Sequence, residues 1–545
     1  MRTASALALI AAACIAGAAA SSQTSQSKAK PGSKAGAAVH FQSSDRCVAC
    51  HNGLTTRSGE DYSFGTSWAA TMMANAGRDP YWHAGVRREI LDHPGAQAAI
   101  EEECSTCHMP MAHYEATLAG REAGIFAHIP FNRENEMSRL AADGVSCSVC
   151  HRIEPTNFGK RESFVGRFSI NPALRGGERA AYGPFPVDAG RTTVMRSSSI
   201  LKPAEGKHIR QSELCATCHT LYTKALAKGG ESHPEFPEQV PYQEWLHSKF
   251  REQQSCQSCH MPALKEEAPI TSVLGQPHPD VARHSFLGGN FFMQRLFARY
   301  GLELGAAALP QEFENAAMKT IQHLQTESAR VSLEGVEVRS GRLNAVVVVE
   351  NLAGHKLPTA YPSRRAWLRF TVRNREGKVV FESGGLRPDG SIEGNDNDAA
   401  ADRFEPHYTE IRSADEVQIY EPILGDPAGR VTTGLLTAVQ YVKDNRLLPQ
   451  GFVKSTAPRD VAVHGEALND ADFTAGSDRV RYSVSVGPAE GPLQVEVELM
   501  YQPIGFRWAM NLRSYQAMEP QRFVRYYETM APGSAVALAR ASAKP

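Results

Sequence analysis

Two thiols three positions apart, followed at once by an imidazole, recur five times in this chain of 545 residues. They are Cys47, Cys50 and His51; Cys104, Cys107 and His108; Cys147, Cys150 and His151; Cys215, Cys218 and His219; and Cys256, Cys259 and His260. Of the 11 cysteines only Cys14 lies outside these motifs. A disulfide framework gives no reason for a histidine after every second cysteine. Zinc sites use paired cysteines, yet do not need histidine at that one offset each time. Covalent haem attachment explains all three residues. The two thiols add across the two vinyl groups on one porphyrin edge, and the adjacent histidine binds iron from the proximal side. The spacing therefore predicts five covalently attached c-type haems, with His51, His108, His151, His219 and His260 as proximal ligands.

Sixth ligands must come from elsewhere. His208 in "GKHIRQSELCATCH", His247 in "YQEWLHSKF" and His284 in "RHSFLGGN" are the first candidates, followed by His93 in "LDHPG" and His355 in "GHKLP". His40, His83, His113 and His128 stay open. Methionine is the rival ligand and raises the reduction potential. Met72 and Met73 are its best candidates, with packing against a haem as the alternative reading. Met109 and Met261 directly follow proximal histidines and are badly placed to reach the opposite face.

The elements that must position these groups divide the chain. Residues 1–20, "MRTASALALIAAACIAGAAA", have an early arginine, a short apolar run and a small-residue end, which is the layout of a secretory signal peptide, with 21–39 as a linker. Residues 40–290 hold all five motifs at roughly fifty residues per haem. So sparse a chain predicts short helices, long connections and a core made largely of cofactor. Residues 291–330 read as connecting helices, with Pro310 suited to a helix start. From 331 to 520 the pattern is β-rich, as in "LNAVVVVEN" and the alternation of Val480, Tyr482, Val484 and Val486, predicting an antiparallel sandwich-like domain. A helix or tail follows over 521–545. The fold class is thus α+β and multidomain, a largely helical and irregular haem domain followed by a β-sandwich-like one.

Net charge is -1, which excludes a strongly basic nucleic-acid binder. "EGNDNDAAADRFEPHY" clusters Asp396, Asp398 and Asp402 with Asn395 and Asn397, oxygen donors of the kind calcium takes, although an Asn/Asp-rich turn needs no metal. "GHKLPTAYPSRRAWL" sets Lys356, Arg364 and Arg365 beside His355, either docking on the haem domain or forming an ordinary basic turn. No phosphate loop, zinc-protease motif or serine elbow appears, and no catalytic residue is assigned.

The phrases "TSWAATMMANAGRDPYW", "CSTCHMP", "DGVSCSVCH", "YQEWLHS" and "SCQSCHMP" resemble the multihaem c-type cytochromes. Within them they resemble most the nitrifier tetrahaem cytochrome that accepts electrons from hydroxylamine oxidoreductase. The likeness spans roughly residues 40–290, and the fifth motif and the β-rich extension depart from it. The resemblance implies mostly bis-histidine haems in periplasmic electron transfer, with other redox proteins as donor and acceptor and no nucleic acid. The expected function is an exported electron relay. The alternative is an oxidoreductase acting on a small nitrogen or sulfur compound at a haem with an open axial site. Every motif ends in histidine and none in lysine, so nothing marks one as different, which favours the relay.

Overall fold

The computed structural model describes residues 40–226, 233–487 and 492–545; the expected signal peptide and linker lie outside them. His40–Pro545 forms one compact unit. Its motif-bearing half is made of short helices and loops. Helix α1 (Pro80–Asp92) starts on a proline, with the Asp79 carboxylate accepting from the amides of Tyr81 and Trp82. Helix α2 (Gln97–His108) ends on the second motif, α3 (Pro241–Leu246) precedes the fifth, and the strand β1 (Phe236–Gln239) lies just before α3. Helices α4 (Phe291–Leu304) and α5 (Pro310–Glu327) pack together through the stacked rings of Phe297 and Phe313, 5.3 Å apart.

The C-terminal half is a β-sandwich. One sheet joins β2 (Ala329–Arg339), β3 (Arg342–Asn351), the short β6 (Glu410–Ile411) and β11 (Ser477–Ser485) in the order β6-β11-β3-β2. The second joins β4 (Arg365–Arg373), β5 (Val379–Ser383), β12 (Gln494–Gln502) and β13 (Val536–Ala543) in the order β5-β4-β12-β13, with β7 (Ile419–Tyr420) also pairing with β4. Alternation places Leu343, Ala345, Val347 and Val349 of β3, and Val480, Tyr482 and Val484 of β11, on one inner face. Leu368, Phe370 and Val372 of β4 meet them from the other sheet. Phe370 stacks on Tyr482 at 4.0 Å, bridging the sheets. A small third sheet orders β8 (Pro422–Gly425), β9 (Val431–Thr432) and β10 (Gln440–Asp444) as β9-β8-β10.

The helix expected from about residue 521 is α6 (Met518–Met530), and the segment read as tail returns to the sheet as β13. Residues Val536–Ala543 carry small alanines whose alternation is too weak to read as a strand without the β12 partner. Helix α6 ties the halves together: Glu519 pairs with Arg87 of α1 at 3.0 Å, and Phe523 packs on Tyr81 at 4.8 Å. The apolar core runs without a break from Ala84 and Phe291 to the sandwich interior.

In the acidic turn, protein groups take up the oxygen donors of Asp398, Asp396 and Asn395. Asp398 accepts both terminal nitrogens of Arg365 at 2.8 and 2.9 Å, Asp396 pairs with Arg403 at 3.3 Å, and the Asn395 side chain caps Asn397. Guanidinium groups supply the positive charge that a metal would bring. Among the described residues, the three close metal-type donors are His407, Asp470 and Asp478. They too are satisfied internally: His407 donates to Asp470 at 3.0 Å and accepts from Gln418 at 2.9 Å, while Tyr420 donates to Asp478 at 2.7 Å.

Candidate functional site

All five motifs face one cavity of about 1680 Å³, lined by all ten motif cysteines and all five motif histidines. Ordinary ligand pockets measure about 300–1,000 Å³. In three motifs the histidine amide bonds to the carbonyl of the first cysteine four positions back: His51 to Cys47 (3.0 Å), His151 to Cys147 (3.1 Å) and His219 to Cys215 (2.9 Å). One helical turn thus puts both thiols and the imidazole on the same side of the backbone. The cysteines are unbridged.

Four of the five imidazoles are held by a backbone carbonyl at Nδ1: His51 by Ile270 (2.7 Å), His108 by Ala76 (3.1 Å), His151 by Tyr182 (2.6 Å) and His260 by Leu287. Donation from Nδ1 fixes the tautomer and leaves the Nε2 lone pair for a metal. Burial keeps the rings neutral, lowering the pKa of His108 and of His219 to about 4. The Trp82 ring lies parallel to His108 at 4.3 Å and fixes its plane.

The motifs also touch one another. The Cys47 thiol lies within hydrogen-bonding reach of that of Cys147, Cys107 of Cys218, and Cys215 of Cys256, while Cys150 lies within electrostatic reach of Cys218. The neighbour relations therefore run first to third to fourth to fifth, with the second joined to the fourth.

Two imidazoles binding one metal from opposite sides, each through a bond of about 2 Å plus about 1.1 Å to the ring centre, stand about 6.2 Å apart. His151 and His284 are 6.3 Å apart with planes 13° from parallel, and His260 and His355 are 6.2 Å apart at 15°. His284 and His355 are themselves tied at Nδ1, to Ala282 (3.1 Å) and Lys356 (2.8 Å). Burial first, then the neighbouring His151, pushes His284 down to about 3.

The other first-choice candidates do not line this cavity. His208 donates from Nε2 to the Ile153 carbonyl at 2.9 Å. His247 turns its Nδ1 to Gln243 at 2.7 Å and lies near Phe452, and His93 sits 3.9 Å from Glu89. Both ring nitrogens of His40, His83 and His113 are engaged by protein groups, and His128 is also off the wall. Met72, Met73 and Met261 are on the wall, whereas Met109 is buried away from it. Sequence reasoning missed His278, His323 and Met195, all on the wall. His278 stacks on Phe185 at 4.2 Å. None has a local signal, since each reaches the cavity only through tertiary packing.

His355 is positioned by a buried charge cluster. Lys356 Nζ is 2.6 Å from Asp444, with both side chains at most 1% exposed. Arg446 pairs with Asp444 at 2.8 Å and with Glu244 of α3 at 2.9 Å, and Glu244 accepts from the Lys356 amide at 3.1 Å. Two cations and two anions thus clamp the His355 loop to the helix before the fifth motif.

Comparison with known proteins gives one informative match. No protein-family model matches the chain, and no curated protein matches it. Among solved structures it is similar to a penta-heme cytochrome c552 from Thermochromatium tepidum, with a TM-score of 0.52 and 15% identity over 93% of this chain and 100% of that one. The class that the fold defines is an α+β multidomain chain with an overall fold similar to that of the cytochrome. The donor set fits c-type haem: paired thiols, a neutral imidazole with a free Nε2, and apolar walls.

Proposed function

We propose that the chain is an exported pentahaem c-type cytochrome that relays electrons between redox protein partners. The observation that carries this reading is the convergence of all ten thiols and five imidazoles on one cavity. A volume of that size, larger than an ordinary ligand pocket and walled mainly by apolar groups, has room for several large cofactors. The cavity is therefore a binding volume. Bound haem supplies one-electron redox chemistry. The chain's part is to hold each imidazole by its carbonyl tether, to keep neighbouring motifs in contact and to exclude water. Contacts linking every motif to another support a continuous path. No helix among the described residues is long and apolar enough to cross a membrane. Intact mass measurement of the matured protein tests the proposal: five haem additions are expected, and unmodified motif thiols would overturn it.

A second reading, reduction or oxidation of a small nitrogen or sulfur compound, has one observation in its favour. Among the described residues no histidine ring is paired across from His51, His108 or His219 as His284 is from His151. On the wall near Cys104, the buried Glu238 is raised to about 8 by burial and then by Glu89, so it holds a proton at neutral pH and can donate it. Carbon monoxide binding to the reduced protein separates the two: a pure relay does not bind it.

A further inference from the structure

The fifth motif has two histidines within ligand distance. His260 lies 6.2 Å from His355, with planes 15° apart, and also 6.2 Å from His323, with planes 58° apart. Both separations match two imidazoles on one metal. His355 comes from the loop before the sandwich strand β4, and His323 from helix α5, yet both line the same cavity. No hydrogen bond holds either ring nitrogen of His323 among the described residues, so its lone pair is uncommitted. Its helix is anchored elsewhere, through Phe313, Ala317, Thr320 and Leu324 on the buried face.

An iron with a proximal imidazole has one remaining axial position. We propose that the fifth motif is built with two interchangeable sixth ligands, His355 and His323, so that either completes the site when the other is withdrawn. This rests on the reading that haem is attached at Cys256 and Cys259. His355 is the resting ligand, because the Lys356, Asp444, Arg446 and Glu244 cluster holds its loop and its Nδ1 is tethered, leaving only Nε2 free. His323 is the reserve, carried on the partly exposed face of a separate element, helix α5. Exchange couples the position of the β-domain loop to the electronic state of the fifth haem. No proton or electron is gained or lost in the exchange: one neutral imidazole nitrogen leaves the metal and another replaces it.

The test is low-temperature electron paramagnetic resonance on the fully haem-loaded protein and three variants, with haem content confirmed by mass. The angle between axial imidazole planes sets the anisotropy of a low-spin haem signal, which gives a readout that packing changes alone do not. H355A is expected to keep the fifth haem low-spin but to move one signal toward the form given by strongly crossed planes. H323A is expected to leave the wild-type spectrum unchanged. The double variant is expected to gain one high-spin haem. If H355A alone gains a high-spin haem, His323 does not ligate and the proposal fails. If H323A alone does, His323 is the sole ligand and it fails equally. Should H355A not mature, H355N keeps a polar side chain in the loop and answers the same question. Absence of haem mass at Cys256 and Cys259 in the wild type would instead defeat the parent reading.

Discussion

Replacing Asp444 by asparagine keeps the shape of the buried cluster and removes one of its two negative charges. Lys356 and Arg446 are then left with Glu244 alone, so one cation is uncompensated at a position where Lys356 is 0% exposed. Breaking a buried ion pair in this way costs about 3–5 kcal/mol. At about 2.1 cal/mol/K per residue over a unit of roughly 500 residues, the unfolding entropy is about 1.1 kcal/mol/K, so the midpoint should fall by about 3–5 °C. K356M combined with D444N removes one charge of each sign and leaves the Arg446–Glu244 pair neutral. The double variant should therefore be more stable than D444N alone, which a thermal melt followed by circular dichroism measures directly as a coupling between the two sites. Acid titration gives a second check. The arginine and lysine hold Asp444 below the usual carboxylate range, so it stabilises the fold above pH 3.8 and that contribution is lost as pH falls. A D444N midpoint within 1 °C or so of wild type, or a double variant as damaged as the sum of the singles, refutes the claim that the clamp is electrostatic.

Other outcomes follow from the same geometry. Glu238 keeps its proton to about pH 8 in the fold but only to 4.5 when unfolded, so native structure should lose stability as pH rises between those values, by up to about 5 kcal/mol. E238Q should flatten that slope in a midpoint-against-pH series. H284A should convert one haem of the matured protein to high spin, read by electron paramagnetic resonance, because His284 stands 6.3 Å across from His151. G144A should lower the melting midpoint by a degree or more: Gly144 has φ of +59°, and an added Cβ would lie 2.5 Å from the Met73 carbonyl oxygen.

The five thiol-thiol-imidazole motifs were legible because each is local in sequence, and the sandwich strands because alternation of Val480, Tyr482 and Val484 is a local property. The distant histidines that share the cavity were legible only in part: His284 and His355 face motif rings, whereas His208, His247 and His93 are off the wall. His208 looked favourable from its nearness in sequence to the fourth motif, yet its Nε2 is spent on Ile153, a residue 55 positions away. His323 reads as one polar position on an amphipathic helix, and only the fold carries it to His260. The acidic turn was ambiguous for a related reason: whether Asp398 meets a metal or Arg365 depends on a strand that composition cannot place beside it. The last strand escaped notice because Ala537, Ala539 and Ala541 give almost no contrast between faces.

The carbonyl tethers carry a consequence for how the molecule comes together. His151 finds its tether 31 residues further on and His260 only 27, whereas the tether of His51 lies 219 residues downstream. Synthesis runs from the N-terminal end, so the imidazole made first is among the last to be oriented. Orientation order and sequence order are decoupled at the first motif, whose imidazole is held only once the segment carrying Ile270 has joined the fold.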